Sequence, residues 1–103
     1  MSKHLIQILV PAAGNDGRLF PEEIMREIQM ELSERFGGIT AYSRAPAKGT
    51  WSRDGEHQRD DIIVVEVMAQ TLDLRWWTEF RRKLEKVLSQ EQIVIRTIAI
   101  DII

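Results

Sequence analysis

One pattern of apolar and polar residues occurs twice along this chain. An apolar run, a polar turn and an amphipathic stretch occupy Leu5–Phe36, and the same sequence of patterns occupies Ile62–Leu88. A further apolar segment follows each amphipathic stretch, at Ile39–Arg44 and at Ile93–Ile103. Period-two and apolar runs predict strands, whereas a 3.6-residue period predicts a helix. The chain is therefore predicted to contain two copies of one strand–helix unit, each followed by another strand.

Both amphipathic stretches have start and stop signals typical of helices. Pro21 suits the first helical position, and Gly37-Gly38 suits a left-handed cap at the end of the first helix. Thr71 or Asp73 is a candidate cap for the second helix. The predicted buried arcs are Ile24, Met25, Ile28, Leu32 and Phe36 in the first helix, and Trp76, Trp77, Phe80, Leu84, Val87 and Leu88 in the second. We interpret the two tryptophans as core residues rather than as part of a cofactor site.

The strand patterns define an α+β fold. Leu5–Val10 and Ile62–Ala69 are apolar on both faces, which is typical of central strands, whereas Ile39–Arg44 has the character of an edge. The apolar phase of the last strand changes around Arg96-Thr97, which predicts a bulge or bend there. The order βαββαβ predicts one ferredoxin-like domain over residues 1–103, with two antiparallel helices on one face of a four-stranded antiparallel sheet.

Such a fold leaves one face of the sheet without helices. Val64 and Met68 are predicted to share this face with Leu5 and Leu9, opposite the residues that point toward the helices. Exposed apolar rows of this kind are typical of interfaces, so we predict a homodimer through the open face or through the last strand. The alternative is a modestly apolar, solvated face that Gln7, Glu66 and Gln70 make compatible with water.

Composition narrows the classes of function. The formal net charge of −2 disfavours a general nucleic-acid-binding protein, which needs a basic surface. There are no cysteines, so disulfides and thiolate chemistry are excluded, and a reducing, cytoplasmic location is expected. The apolar N-terminal run is short and broken by Gln7, and we interpret it as a strand rather than a signal peptide. No apolar run approaches the ~20 residues of a membrane span, and no cofactor or metal motif is present, so neither membrane nor cofactor is predicted.

The segment between the second and third strands carries the densest set of functional groups. It is too long for a plain hairpin turn, and long loops are often functional. The predicted ligand-binding residues are Arg44, Trp51, Arg53, Glu56, His57 and Arg59, with the arginines as anchors for a small anionic ligand. His57 and Asp54 are the catalytic candidates, for proton transfer. The alternatives are that His57 is an ordinary exposed histidine and that Trp51 folds back to cap the core.

Two further predictions concern the surroundings of that segment and the helix surfaces. The topology places the segment at the same end of the sheet as the turn Asn15–Arg18 and the junction Gln90–Gln92. The helices also carry flanks of opposite charge. The acidic flank of the first helix consists of Glu23, Glu27, Glu31 and Glu34, and the basic flank of the second consists of Arg75, Arg82, Lys83 and Lys86. The two flanks either meet between the helices as ion pairs or both face outward.

A short motif resembles one seen elsewhere. Phe36-Gly-Gly-Ile-Thr40, followed by Gly49-Thr-Trp51 and then acidic residues before an apolar strand, resembles a group of small uncharacterised bacterial domains. These share an aromatic residue before a Gly-[Leu/Ile]-Thr strand start and a later Gly-x-Trp. The resemblance covers roughly residues 35–67. It implies a ferredoxin-like fold, no established activity and no catalytic residues that can be carried over.

Together these patterns favour a non-enzymatic function. The first hypothesis is a homodimeric ligand-binding or protein-interaction module with a polar site in the 44–61 segment. The second is a small dimeric α/β-barrel-type enzyme that uses the open sheet face as its pocket. A third is a subunit that binds a partner along the edge of its last strand.

Overall fold

The computed structural model describes residues 2–44 and 62–103 and contains two helices and a four-stranded sheet. The elements are β1 (Ser2–Pro11), α1 (Glu22–Phe36), β2 (Thr40–Arg44), β3 (Ile62–Ala69), α2 (Leu74–Val87) and β4 (Val94–Asp101). The strands are antiparallel in the order β2-β3-β1-β4. The predicted ferredoxin-like α+β fold is confirmed, with β1 and β3 at the centre and β2 at one edge.

The ends of the helices follow from local chemistry. Pro21 has extended backbone angles (φ −57°, ψ 142°) and precedes α1, so the helix begins one residue later than predicted. Gly37 ends α1 in the left-handed conformation (φ 79°), as the glycine pair predicted. Of the two candidate caps for α2, Asp73 holds the position, and its Oδ1 accepts a hydrogen bond from the Trp76 backbone N–H at 3.1 Å.

Both helices pack on the same face of the sheet, where they enclose the core. Ile28 and Leu32 of α1 and Trp77, Phe80 and Leu84 of α2 are buried. They share one cluster with the inward residues of the central strands, which are Ile6, Ile8, Val10, Val65 and Val67. Val87 was assigned to the buried arc of α2, and this was wrong: the side chain is 51% exposed. It lies in the last turn of α2 and outside the apolar cluster that covers the sheet.

Aromatic packing closes one end of the helix layer. The Trp76 and Trp77 rings lie 4.8 Å apart, and Phe36 stacks on Trp77 at 5.2 Å between ring centroids. The Arg35 guanidinium lies over the Trp76 ring at 4.4 Å from its centroid, a cation–π contact. The structural role predicted for the tryptophans is therefore confirmed.

Two ion pairs join α1 to α2, and one of them comes from the charged flanks. Lys83 Nζ lies 2.7 Å from Glu31 Oε2. Arg35 Nη2 of α1 lies 3.8 Å from Oδ2 of Asp73, the residue that caps the start of α2. The two pairs join α1 and α2 in reverse order, as antiparallel helices require. Arg75 instead pairs within its own helix, with Glu79 at 3.7 Å. The interhelical alternative thus holds for Glu31 and Lys83, although exposed pairs of this kind stabilise a fold by less than about 1 kcal/mol each.

The last strand differs from its prediction. It pairs with β1 in an unbroken antiparallel register from Ser2↔Asp101 to Leu9↔Val94, so the bulge predicted at Arg96-Thr97 is wrong. The apolar phase changes because β4 is an edge strand whose two faces are both partly exposed, not because a residue is inserted. Regular alternation therefore places Arg96 on the open face, together with Val94 and Ile98.

Candidate functional site

The site predicted in the 44–61 segment lies almost entirely outside the described residues. This holds for both catalytic candidates, His57 and Asp54, and for the ligand-binding candidates Trp51, Arg53, Glu56 and Arg59. The backbone of Arg44 ends β2 and pairs with Ile62 of β3, but its side chain lies outside the description.

The predicted surroundings of that segment do converge. The ends of β2 and β1 both lie beside the start of β3, because Ile62 pairs with Arg44 on one side and with Pro11 on the other. At the same end of the sheet, Asn15 Nδ2 donates a hydrogen bond to the Ser89 backbone carbonyl at 3.2 Å. The turn at 15–18 and the junction after α2 therefore meet at one end of the sheet, as predicted.

The open face of the sheet carries a row of polar side chains at its centre. Glu66 of β3, Gln7 of β1 and Arg96 of β4 lie at the same level, because Gln7 pairs with Glu66 on one side and with Arg96 on the other. Gln7 Nε2 donates to Glu66 Oε2 at 2.7 Å, and Gln7 Oε1 accepts from Arg96 Nε at 2.7 Å. We call these three residues the polar row.

The polar row has a fixed direction. A carboxylate only accepts hydrogen bonds and a guanidinium only donates them, so the two neighbours allow one orientation of the Gln7 amide. Gln7 is only 9% exposed although it lies on the face without helices. The row therefore presents a negative end at β3 and a positive end at β4, joined by an amide whose donor and acceptor are both used.

Apolar side chains lie on both sides of the polar row. Pairing places Val64, Leu9 and Val94 at one level, and Met68, Leu5 and Ile98 at the other. Val64 is buried, whereas Met68 is 50%, Val94 45% and Ile98 48% exposed. We call these two sets the apolar rows; each consists of one residue from β3, one from β1 and one from β4.

Two concave regions adjoin these elements. A groove of about 520 Å³ on the open face runs along the β2 side, where Lys3, Thr40 and Glu66 supply polar groups. A cleft of about 380 Å³ lies between α1 and the segment that precedes it, and its lining includes Phe20, Ile24 and Met25. The lining of the cleft is mostly apolar, with Glu22, Arg26 and Gln29 as its polar members, which suits a small apolar ligand. The open face is the better candidate site for a protein partner, because its exposed apolar side chains extend over three strands.

The described part of the chain gives no sign of a metal centre or of a membrane span. Within residues 2–44 and 62–103, no three His, Asp or Glu side chains come together in a group that could hold a metal ion. Neither α1 nor α2 is long and apolar enough to cross a bilayer.

Sequence reasoning found only part of the open face. It placed Leu5, Leu9, Val64 and Met68 there and named Gln7 and Glu66 as polar relief, but it missed Arg96. Because a bulge was expected at Arg96-Thr97, the sequence did not indicate that Arg96 lies at the same level as Gln7 and Glu66. A simple signal was present, since each of the three long strands carries one polar residue between apolar residues two positions away on either side.

Comparison with known proteins gives one fold relationship. No protein-family model matches the sequence, and no curated protein matches it. A solved structure of a phage SAM lyase in complex with S-methyl-5'-thioadenosine has a TM-score of 0.56 to this chain at 13% sequence identity. The match covers 97% of this chain and 90% of the lyase chain. At this identity the likeness shows a shared α+β fold alone.

Proposed function

We propose that this protein is a binding module that acts as a homodimer, with the open sheet face as the surface where the second copy docks. The observation that carries the proposal is the pair of apolar rows on a face without helices. Met68, Val94 and Ile98 are each close to half exposed there, and exposed apolar side chains grouped on one face with polar neighbours are typical of interaction sites.

The size of the face supports docking of a whole domain. At ~3.4 Å per residue and ~4.8 Å per strand, an eight-residue length of β3, β1 and β4 has a flat footprint on the order of 400 Å². Protruding side chains make the accessible area larger than the footprint. Specific interfaces bury about 600–1,000 Å² per partner, so two such faces in contact fall at the lower end of that range.

Self-association is tested with a matched pair of variants. Met68 on the open face and Met30 on α1 are 50% and 54% exposed, so a charge at either position has a similar cost in the monomer. We expect Met68→Glu to weaken the dimer at least tenfold, because the charge would be desolvated in the interface. We expect Met30→Glu to leave the dimer intact. Sedimentation velocity over a range of concentrations measures both, and a monomeric wild-type protein at the highest concentration would refute the proposal.

The ligand of the module is a separate part of the proposal. A small anionic ligand at the arginine-rich 44–61 segment stays a prediction, as does a cytoplasmic location. The contact of Asn15 with Ser89, at the same end of the sheet as the end of β2 and the start of β3, supports a site there, since several backbone segments meet at that end.

The second candidate is a small-molecule enzyme that uses the open face as its pocket. The fold shared with a SAM lyase that was solved with S-methyl-5'-thioadenosine is the observation in its favour. Isothermal titration calorimetry with S-methyl-5'-thioadenosine and with SAM tests it directly. Saturable binding that Arg96→Ala abolishes would favour the enzyme, whereas no heat at millimolar ligand favours the binding module.

A further inference from the structure

We propose that the two copies of the dimer are related by a two-fold axis that runs along β1, so that Arg96 of each copy faces Glu66 of the other. This inference rests on the proposed docking of two open faces. It adds the relative orientation of the copies and the charge pair that selects it.

The direction of the polar row decides between orientations. An interface between two identical faces has its two-fold axis in the plane of the interface. Rotation about β1 exchanges the sides on which β3 and β4 lie, which places the positive end of one row over the negative end of the other. A two-fold axis along the polar row would instead leave β3 of one copy over β3 of the other and β4 over β4. It would therefore place Arg96 over Arg96 and Glu66 over Glu66. Like charges in a desolvated interface are strongly unfavourable, so the row selects the axis along β1.

The apolar rows fit the same axis. Rotation about β1 leaves each row at its own level and reverses its order, so Met68 faces Ile98 of the second copy and Leu5 faces Leu5. Val64 and Val94 face each other in the same way, because Leu9 lies between them on β1. Apolar groups thus lie on apolar groups in both apolar rows. Packed sheets are rotated by about 30° relative to each other, so the match is closest near Gln7.

The geometry is tested by cross-linking, for which the absence of cysteines makes any introduced thiol unique. Met68→Cys and Ile98→Cys subunits are mixed, allowed to exchange and treated with a short bismaleimide. We expect the mixture to give covalent dimer in several-fold higher yield than either variant alone, because residues 68 and 98 lie on opposite sides of β1. The control mixture is Ile98→Cys with Val94→Cys, both on β4 and similarly exposed. Rotation about the row would make this control the efficient pair and would overturn the inference.

Charge reversal gives an independent test. Glu66→Lys makes both ends of the row positive, and Arg96→Glu makes both ends negative. We expect each variant alone to dimerise at least tenfold more weakly than the wild type, and an equimolar mixture to recover wild-type affinity as a heterodimer. Far-UV circular dichroism and thermal unfolding establish whether each charge variant is folded. If a charge variant is unfolded, the cross-linking experiment still tests the axis, because the cysteine variants keep all three residues of the polar row.

The outcomes separate the inference from the proposed function. A wild-type mass of one or three copies would refute the homodimer and the axis together. A wild-type dimer whose charge variants dimerise normally, or whose 68/98 mixture fails to cross-link, would refute the axis and leave the homodimer standing.

Discussion

Replacement of Gln7 by leucine tests whether the polar row stabilises the fold. Leucine is close to glutamine in volume and fits beside Leu5 and Leu9, but it removes the amide that bonds both Glu66 and Arg96. We expect Gln7→Leu to lower the free energy of unfolding, although the substitution adds an apolar side chain to an apolar face.

The magnitude follows from the two lost hydrogen bonds. A bond to a charged group contributes about 1.5–3 kcal/mol when buried, and the exposure of Arg96 reduces this to about 1 kcal/mol for each bond here. Gln7 is already nearly buried, so leucine regains at most about 1 kcal/mol from its additional apolar surface. Partial desolvation of the Glu66 carboxylate without its amide donor adds a further cost of about 1 kcal/mol. The net expected loss is about 2–3 kcal/mol.

Urea unfolding followed by tryptophan fluorescence measures this loss. Protein concentration is held fixed, because association with a second copy stabilises the folded state. Gln92→Leu is the control, since Gln92 is exposed in the segment before β4 and has no hydrogen bond in the described structure. An unfolding midpoint for Gln7→Leu at or above the wild-type value would refute the reasoning, because it would mean that the polar row contributes no stability.

Three further predictions concern the scaffold, each measured as a change in the free energy of unfolding. Leu32→Ala should cost about 2–5 kcal/mol because it opens a cavity at a fully buried position, whereas Met30→Ala two residues earlier should cost less than about 1 kcal/mol. Asp73→Ala should cost about 1 kcal/mol, and Asp73→Ser should recover most of it, because serine also caps a helix. Gly37→Ala should cost about 1–2 kcal/mol at φ 79°, whereas Gly38→Ala should be close to neutral; equal effects at the two glycines would contradict the conformational argument.

The fold was predictable because its signals are local and repeated. The bounds of β3, Ile62–Ala69, are those of the apolar run, and the glycine pair after Phe36 marked the end of α1. These features depend on the backbone conformations that residue types favour and on the need to bury one face of each helix. Neither requires knowledge of a distant part of the chain.

The errors lie where the environment of a residue depends on its neighbours in space. The position of Val87 relative to the apolar arc suggested burial, but its side chain is half exposed and lies outside the apolar cluster in the folded structure. The apolar phase of β4 suggested an inserted residue, but an edge strand tolerates apolar side chains on both faces without one. The polar row was missed for the same reason, because its three members are far apart in sequence and only the strand register brings them to one level.

The polar row and the apolar rows have different physical roles in the proposed dimer. Apolar surface is non-directional, so Met68, Leu5 and Ile98 alone would stabilise many relative orientations of two sheets about equally. A charged row at the centre of the face adds little net affinity, since desolvation of the charges offsets most of their attraction. It does make misaligned orientations costly, because rotation about the row brings the like-charged ends of the two copies together. The oppositely charged ends joined by Gln7 therefore explain why an apolar face with a polar centre can bind one partner in one orientation.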